Sequence, residues 1–319
     1  MSGVSGAPLA WHGGLPVTVI GGYLGAGKTT LVNHLLRRAE GRRICVLVND
    51  FGAVPIDRDL IVAPDGERIG DTLEISGGCV CCSYGSDLME TLGTLRSRLP
   101  GVEHVLLEAS GVALPGAVAS SVSLLPSLRV DGIVVLADAE TVRERAGDLY
   151  LGDTIHRQLA AADLVILNRC DLAGPQASAD TVRWLEGAAP QARIVTGERA
   201  AIEPALILGL REDAVVPADA APVPEAASLY ESLDIALPPS IDVAALAEKL
   251  TAPALGILRA KAIVASSGRR MALHVVGRRS AIDEAPQAAL TGPAPTGRLV
   301  AIGLRGRLDP AAIRSAVAA

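Results

Sequence analysis

Eight residues near the amino terminus, Gly22-Tyr23-Leu24-Gly25-Ala26-Gly27-Lys28-Thr29, place flexible glycines, one lysine and one hydroxyl in the order G-x-x-x-x-G-K-T. Glycines let successive backbone amides turn toward one anion, and a helix opening at Lys28 adds the positive end of its dipole. In this pattern Lys28 bridges the β and γ phosphates of a nucleoside triphosphate, and Thr29 puts its hydroxyl on Mg²⁺. Gly22, Gly25, Ala26, Gly27, Lys28, Thr29 and Thr30 are therefore the expected phosphate-binding residues. The motif is specific when a strand precedes it and a helix follows. The apolar run Val17 to Ile20 and the spacing of Leu31, Leu35 and Leu36 within Lys28 to Ala39 meet both conditions.

Mg²⁺ takes oxygen ligands and keeps some of its waters, so carboxylates are expected at neighbouring strand ends. Asp50 follows Cys45-Val46-Leu47-Val48-Asn49, and Glu108 follows Val105-Leu106-Leu107. Each is a candidate to bind the ion, directly or through water, or to orient the attacking water. Gly111 follows Glu108 closely enough to bring a backbone amide to the γ-phosphate. With Lys28, these three form the expected catalytic set.

A third strand end carries Asn168-Arg169-Cys170-Asp171 behind Val165-Ile166-Leu167. In an N-K-x-D arrangement the aspartate accepts hydrogen bonds from the ring N–H and exocyclic amine of guanine, an edge that adenine does not present. Asp171 thus favours GTP over ATP. Asn168 is expected to secure the loop and contact the base region. Arg169 stands where lysine is usual, and its stem and guanidinium are expected to cover the base face, although the two residues are not interchangeable.

Cys79, Cys81 and Cys82 lie behind Gly77-Gly78. If the loop curls back, three thiolates this close converge on Zn²⁺ or a similar soft-preferring ion, with a fourth ligand from elsewhere, from water or from a partner. A redox pair, for which Cys79 and Cys82 have the C-x-x-C spacing, and a purely structural turn are the competing readings. Cys45 and Cys170 read as individual core or near-core residues.

The elements that must position these groups alternate. Apolar runs at Ile44 to Val48, Val105 to Leu107, Ile133 to Leu136, Val165 to Leu167 and Arg193 to Val195 are expected strands, with amphipathic stretches such as Asp87 to Leu99 and Asp153 to Ala162 between some of them. This order predicts an α/β fold with a mainly parallel sheet covered on both faces. The Ala-, Pro- and acid-rich stretch Arg211 to Ser228 reads as linker. Beyond it, Val243 to Leu250 and Pro310 to Val317 read as helices. Gly256 to Val264, Met271 to Val276 and Arg298 to Gly303 read as strands, with a turn at Ser266-Ser267-Gly268, in a small α+β domain.

Bulk composition narrows the function classes. The 319 residues are 50% hydrophobic and 20% charged, so they suit an ordered chain. Aromatics are 2%, Phe51 is the single phenylalanine, and the net charge is -6, which argues against nucleic-acid partners. No apolar stretch of bilayer-spanning length and no leader-like amino terminus are read, so the expectation is a cytoplasmic protein without a membrane partner. The clustered cysteines do not resemble a secreted disulfide framework.

Taken together, the residues resemble the CobW-like metallochaperone GTPases, a family of P-loop proteins that includes nitrile-hydratase activators. The resemblance spans nearly the whole chain: Gly21 to Asn33, Asn49 to Leu60, Glu74 to Cys82, Glu108 to Pro115, Asp138-Ala139, Gln158 to Leu172 and Arg259-Ala260-Lys261. It implies an extension over 1–15, a P-loop GTPase domain over 16–210, a linker over 211–239 and a C-terminal domain over 240–319. It also implies a cycle between GTP and GDP with Mg²⁺, and Zn²⁺ or Co²⁺ on Cys79, Cys81 and Cys82. The metal would pass to a client metalloprotein or cofactor-assembly enzyme, with metal- or nucleotide-dependent oligomers a further possibility. In such proteins Asn49 to Asp57 is a switch, which makes Asp57 a second magnesium or switch candidate, and Glu108 to Gly111 senses the γ-phosphate. The family's Asn-Glu-Phe-Gly-Glu is here Asn49-Asp50-Phe51-Gly52-Ala53, so Ala53 removes one potential ligand. A regulatory binding protein with a structural or redox cysteine loop, and an ATP-using phosphotransferase or synthetase, are the alternative functions. His156 and His34 are expected mainly to pack, His274 is open between packing and partner contact, and for Arg259, Lys261, Arg278 and Arg279 the readings are an acidic partner surface, contact with the nucleotide domain, or, by default, solvation of strand ends.

Overall fold

The computed structural model describes residues 14–39, 42–48, 71–74, 89, 92–95, 97, 99, 101–209, 230–238, 241–266, 269–284 and 297–318. The amino-terminal unit runs β1 (Leu15–Gly21), α1 (Lys28–Arg37), β2 (Ile44–Val48), β3 (Asp71–Glu74), β4 (His104–Glu108), α2 (Pro115–Ser123), β5 (Leu128–Asp138), α3 (Val142–Ala146), α4 (Gly152–Ala160), β6 (Leu164–Asn168), α5 (Cys170–Ala173), α6 (Pro175–Ala188), β7 (Arg193–Thr196) and α7 (Pro204–Leu208). Its seven strands lie in the order β3-β2-β4-β1-β5-β6-β7. Every pairing is parallel. Among the described residues the sheet is thus parallel throughout, where a mainly parallel one was expected.

The apolar runs become strands because both faces need cover. All five residues of β2, of β4 and of β6 are buried. Side chains alternate between two cores. Cys45, Leu47, Val105, Leu107, Val165 and Leu167 join α2, α4 and α6 on one face. Val46, Leu106, Leu136 and Ile166 join Leu31, Val32, Leu35 and Leu36 of α1 on the other. A strand with a helix layer on each side has no polar face, which is why these segments read as continuous rather than alternating. The short β3 and the helices α2, α3, α6 and α7 were not anticipated; α2, α6 and α7 each carry proline in the first turn, a start signal that was there to be read.

The carboxy-terminal unit comprises β8 (Tyr230–Leu237), α8 (Val243–Leu250), a 3₁₀ turn at Pro253–Leu255, β9 (Ile257–Ser266), β10 (Arg269–Val276), β11 (Arg279–Glu284), β12 (Gly297–Leu304) and α9 (Pro310–Ala318). Its antiparallel sheet has the order β11-β10-β9-β12-β8. Leu246 and Leu250 of α8 and Ile313 and Val317 of α9 cover one face. Asp242 caps α8 by accepting from the amides of Ala244 and Ala245 at 2.9 and 3.1 Å. The expected linker over 211–239 needs correction: Tyr230–Leu237 is strand, paired along its length with β12, so this unit starts by Tyr230 rather than at 240. β8 alternates, with Leu233, Ile235 and Leu237 turned toward the core and Ser232, Asp234 and Ala236 exposed. Residues 1–13, the proposed linker over 211–229, and Ser267 and Gly268 lie outside the described residues.

The two units share a core and a buried ionic seam. Tyr230, Leu258 and Ile302 complete the apolar layer over α1 and α7. Beneath it, Arg259 of β9 pairs with Asp131 of β5, and its guanidinium also donates to the carbonyls of Leu206 and Ile207 at 3.0 and 3.1 Å. Arg129 bridges Asp131 at 2.8 Å and Asp283 of β11 at 3.0 Å. Arg279 holds Asp163 through its Nε at 2.8 Å, and Arg278 donates to the Pro190 carbonyl at 3.0 Å. Of the readings for Arg259, Arg278 and Arg279, contact with the nucleotide domain therefore holds and the default of solvated strand ends does not: they anchor one unit to the other. Arg259 and Asp131 are both 4% exposed, and such burial requires a compensating charge.

Burial alone would raise Asp131, but Arg259 and Arg129 outweigh it and hold the carboxyl well below its usual range. His104 and His274 are neutral. Burial pushes them down to about 3 and about 2, with neighbouring arginines acting in the same direction. The Nε2 of His274 lies 3.7 Å from Asp283, outside hydrogen-bond range, and an uncharged ring makes no ion pair there.

Two consequences are measurable. Arg259→Ala should cost about 3–5 kcal/mol in chemical denaturation, because Asp131 stays buried with less compensation. In the unfolded chain the two histidines protonate below their ordinary value near 6.5, whereas in the fold they do not. Their contribution is complete above that pH and is lost as the pH falls toward 3, at about 1.4 kcal/mol per pH unit per histidine. Asp163 and Asp283, raised by burial, act with the opposite sign but only near the carboxylate range. Denaturation midpoints should therefore decline between pH 6.5 and 5.

Candidate functional site

Because the sheet is parallel, its strands deliver their last residues to one edge. Gly21, Glu108, Asp138 and Asn168 end four adjacent strands, β1, β4, β5 and β6. The register aligns Ile20 with Glu108, Gly21 with Val135, and Asp138 with Asn168. The motif Gly22 to Thr29 turns over this edge. Gly22, Gly25 and Gly27 take φ values of 127°, 80° and 103°, a region that side chains rarely enter. This lets the loop enter α1 with no side-chain cap, leaving its amino end available to an anion.

Lys28 is buried and folds back on the loop, its Nζ donating to the Gly22 carbonyl at 3.0 Å. Thr29 donates through Oγ1 to Glu108 Oε1 at 2.9 Å, joining the phosphate loop to the end of β4. Gly111 lies against the same loop, since a Cβ built on it would sit 2.8 Å from the backbone nitrogen of Leu24. The turn carrying Gly111 is clamped from behind. Gln158 of α4, 1% exposed, donates Nε2 to the carbonyls of Gly111 and Ala113 at 3.0 and 2.9 Å. Arg145 holds the outer rim, donating to the Leu24 carbonyl at 3.0 Å with its guanidinium 5.2 Å from the Tyr23 ring centre.

The third strand end is bound into the same assembly. Asn168 donates Nδ2 to the Ala26 carbonyl at 3.0 Å and accepts from the Ala200 amide at 2.8 Å, so one buried side chain ties the phosphate loop to two loops beyond it. Arg169 donates to Asp138 at 2.8 Å. Asp171 is exposed at the start of α5. The structure therefore brings Gly22, Gly25, Ala26, Gly27, Lys28, Thr29, Glu108, Gly111, Asn168 and Arg169 together. Asp50, Asp57, Cys79, Cys81 and Cys82 lie outside the described residues. Among the described residues, no group of three His, Cys, Asp or Glu side chains is placed to hold a metal ion, and no helix is long and apolar enough to cross a membrane.

The other predicted groups fall elsewhere. His156 packs its ring 6.0 Å from that of Trp184, His34 hydrogen bonds with the Ile202 carbonyl at 2.9 Å, and His274 lies in the seam between the units. Cys45 is fully buried, and the half-buried Cys170 donates its thiol to the Leu167 carbonyl. Sequence reasoning did not assign a role to Gln158, Arg145 or Asp138. Only Asp138 carried a signal, a carboxylate closing an apolar run just as Glu108 does.

Comparisons with known proteins place this sheet and its neighbouring unit in a family. The family model described as CobW/HypB/UreG, nucleotide-binding domain, matches residues 16–196, and that described as cobalamin synthesis protein cobW C-terminal domain matches residues 230–319. The chain belongs to the CobW family. The zinc chaperone CobW of Pseudomonas aeruginosa is 32% identical over a 348-residue alignment that covers 97% of this chain and 92% of that protein. A zinc chaperone CobW from a Sinorhizobium species is 29% identical, covering 97% and 98%. Zinc-regulated GTPase metalloprotein activator 1 of Saccharomyces cerevisiae is 30% identical over 177 residues, 49% of this chain and 41% of that one.

Within this CobW-family site, Asn168 is the residue on which loop order rests most directly. Asn168→Ala should cost about 1–3 kcal/mol in thermal denaturation, since the Ala26 carbonyl and the Ala200 amide lose their partner, and should weaken GDP binding measured by calorimetry.

Proposed function

We propose that this chain is a GTP hydrolase that binds a transition metal, zinc or cobalt, and hands it to a client metalloprotein or cofactor-assembly enzyme. The observation that carries the nucleotide half is the 2.9 Å hydrogen bond from Thr29 to Glu108 beside the uncapped start of α1. A hydroxyl and a carboxylate side by side are hard oxygen donors of the kind Mg²⁺ selects, so Thr29 and Glu108 would hold it, Glu108 directly or through water. When bound, the ion supplies charge neutralisation at the β and γ phosphates. Entering phosphates offer Lys28 a stronger acceptor than the Gly22 carbonyl. Gly111, pressed against the loop by Gln158, presents its turn to the γ-phosphate. Glu108 also remains a candidate to orient the attacking water, and Asn168, Arg169 and Asp171 form the guanine side.

The metal half is supported by the relatives' names as zinc chaperones and a zinc-regulated activator and by the chemistry of Cys79, Cys81 and Cys82, three soft donors suited to Zn²⁺ or Co²⁺ as cargo. Asp50 and Asp57 are the further magnesium or switch candidates. The loops ordered by the γ-phosphate would hold the metal differently after hydrolysis, and linkage makes the coupling reciprocal.

The test is Zn²⁺ and Co²⁺ affinity, read by chelator competition in GTP- and GDP-bound protein, for wild type and for the variant with Cys79, Cys81 and Cys82 all changed to serine. Wild type should show different affinities in the two states, and the variant at least a tenfold loss. Equal affinities in both states would remove the coupling, and an unchanged variant would remove the thiolates as ligands. In parallel, Glu108→Gln should slow hydrolysis about a hundredfold or more with GTP still bound.

A further inference from the structure

We infer that Asp138 is a positioning residue for the nucleotide base: it locks the Arg169 guanidinium as one wall of the base pocket. This rests on the reading of Asn168 to Asp171 as the guanine loop. Asp138 ends β5 directly across the strand pair from Asn168, and its carboxylate is 3% exposed. One of its oxygens accepts from the Glu140 amide at 2.9 Å and the other from Arg169 Nη1 at 2.8 Å. A carboxylate this buried needs a permanent cation, so Arg169 is committed to it. The Arg169 side chain nevertheless keeps 40% of its surface open, enough for the face of a planar group to meet a ligand.

The backbone supports the same assignment. Among the described residues, three other than glycine have positive φ: Arg169 at 63°, Arg199 at 50° and Ala200 at 55°. All three sit in the two loops that Asn168 joins. Left-handed backbone at such residues costs free energy and is retained where the surrounding structure over-determines it, most often at ligand sites. At Arg169 it turns the chain from β6 into α5, so that the arginine side chain returns to β5 while Asp171 stands free on the helix.

A flexible lysine in this position would cover the base with an aliphatic stem. A guanidinium anchored at one edge instead offers a fixed planar face, and stacking on it loses little side-chain freedom when nucleotide binds. Stacking does not discriminate one purine edge from another, whereas Asp171 does. Asp138 and Arg169 should therefore set how tightly a purine nucleotide is held, and Asp171 which one.

The experiment compares wild type with Asp138→Asn, Arg169→Ala and the double variant, measuring GDP affinity by calorimetry and inorganic tripolyphosphate affinity by competition. Asparagine retains the acceptor for the Glu140 amide and removes the charge. Asp138→Asn should weaken GDP roughly threefold to thirtyfold, leave tripolyphosphate unchanged, and add nothing once Arg169 is alanine. A GDP loss that persists in the Arg169→Ala background, an equal loss for tripolyphosphate, or no loss at all overturns the assignment. A separate Asp171→Asn arm tests the underlying reading: preference should move from guanosine to xanthosine nucleotides, because an amide donates to the xanthine carbonyl that replaces the guanine amine. If that shift fails while the Asp138 and Arg169 effects on GDP remain coupled and spare tripolyphosphate, Asp171 is not the guanine reader, whereas the pair still acts on the nucleoside part of the ligand.

Discussion

Parallel pairing of β1 with β4 on one side and β5 on the other is the constraint on which the rest of the molecule depends. Parallel strands cannot be joined by tight turns, and connections among the described residues, such as those through α1, α2 and α4, lay apolar helix against a face of the sheet. The same geometry sends every carboxyl end to one edge. Gly21, Glu108, Asp138 and Asn168 are brought together by backbone hydrogen bonds alone, before any side chain of the site touches another. The side-chain bonds then refine that placement. Thr29 reaches Glu108, Asn168 reaches Ala26, and Gln158 reaches the turn carrying Gly111.

The opposite end of the sheet is used differently. Arg129 and Asp131 lie in the first half of β5, and they meet Arg259, His274 and Asp283 from the antiparallel unit in a largely buried seam. One strand thus carries the inter-unit anchor near its start and the partner of the base-loop arginine at its end. A buried ion pair is weak evidence for net stability, yet its removal from one side only is costly. The seam's two histidines, held uncharged by burial, make its stability sensitive to acid.

Much of this was legible in the residues. The phosphate loop, Glu108 and the Asn168 to Asp171 loop follow continuous apolar runs, and a run buried on both faces announces a strand whose end can be read off directly. Cys45 and His34 also lie where composition and spacing put them. The failures share a cause. Tyr230–Leu237 was placed in the linker because three alternating apolar residues, Leu233, Ile235 and Leu237, do not reveal the distant strand that pairs with them, and Arg259, Arg278 and Arg279 were by default read as solvated ends because a charge next to a strand says nothing of what packs over it.

What the sequence by itself determined is the set of local chemistries: glycines that permit positive φ before a helix, a lysine and hydroxyl at its start, carboxylates and an amide closing apolar runs, and three clustered thiols. These are legible because each depends on neighbours a few residues away. Only the tertiary structure decided the pairings made at a distance: Thr29 with Glu108, Asn168 with Ala26 and Ala200, Arg169 with Asp138, and Arg259 with Asp131. Each joins segments separated by some 30 to 140 residues. Their partners are selected by strand order and by the cost of burying a charge uncompensated, quantities that exist only once the sheet has formed.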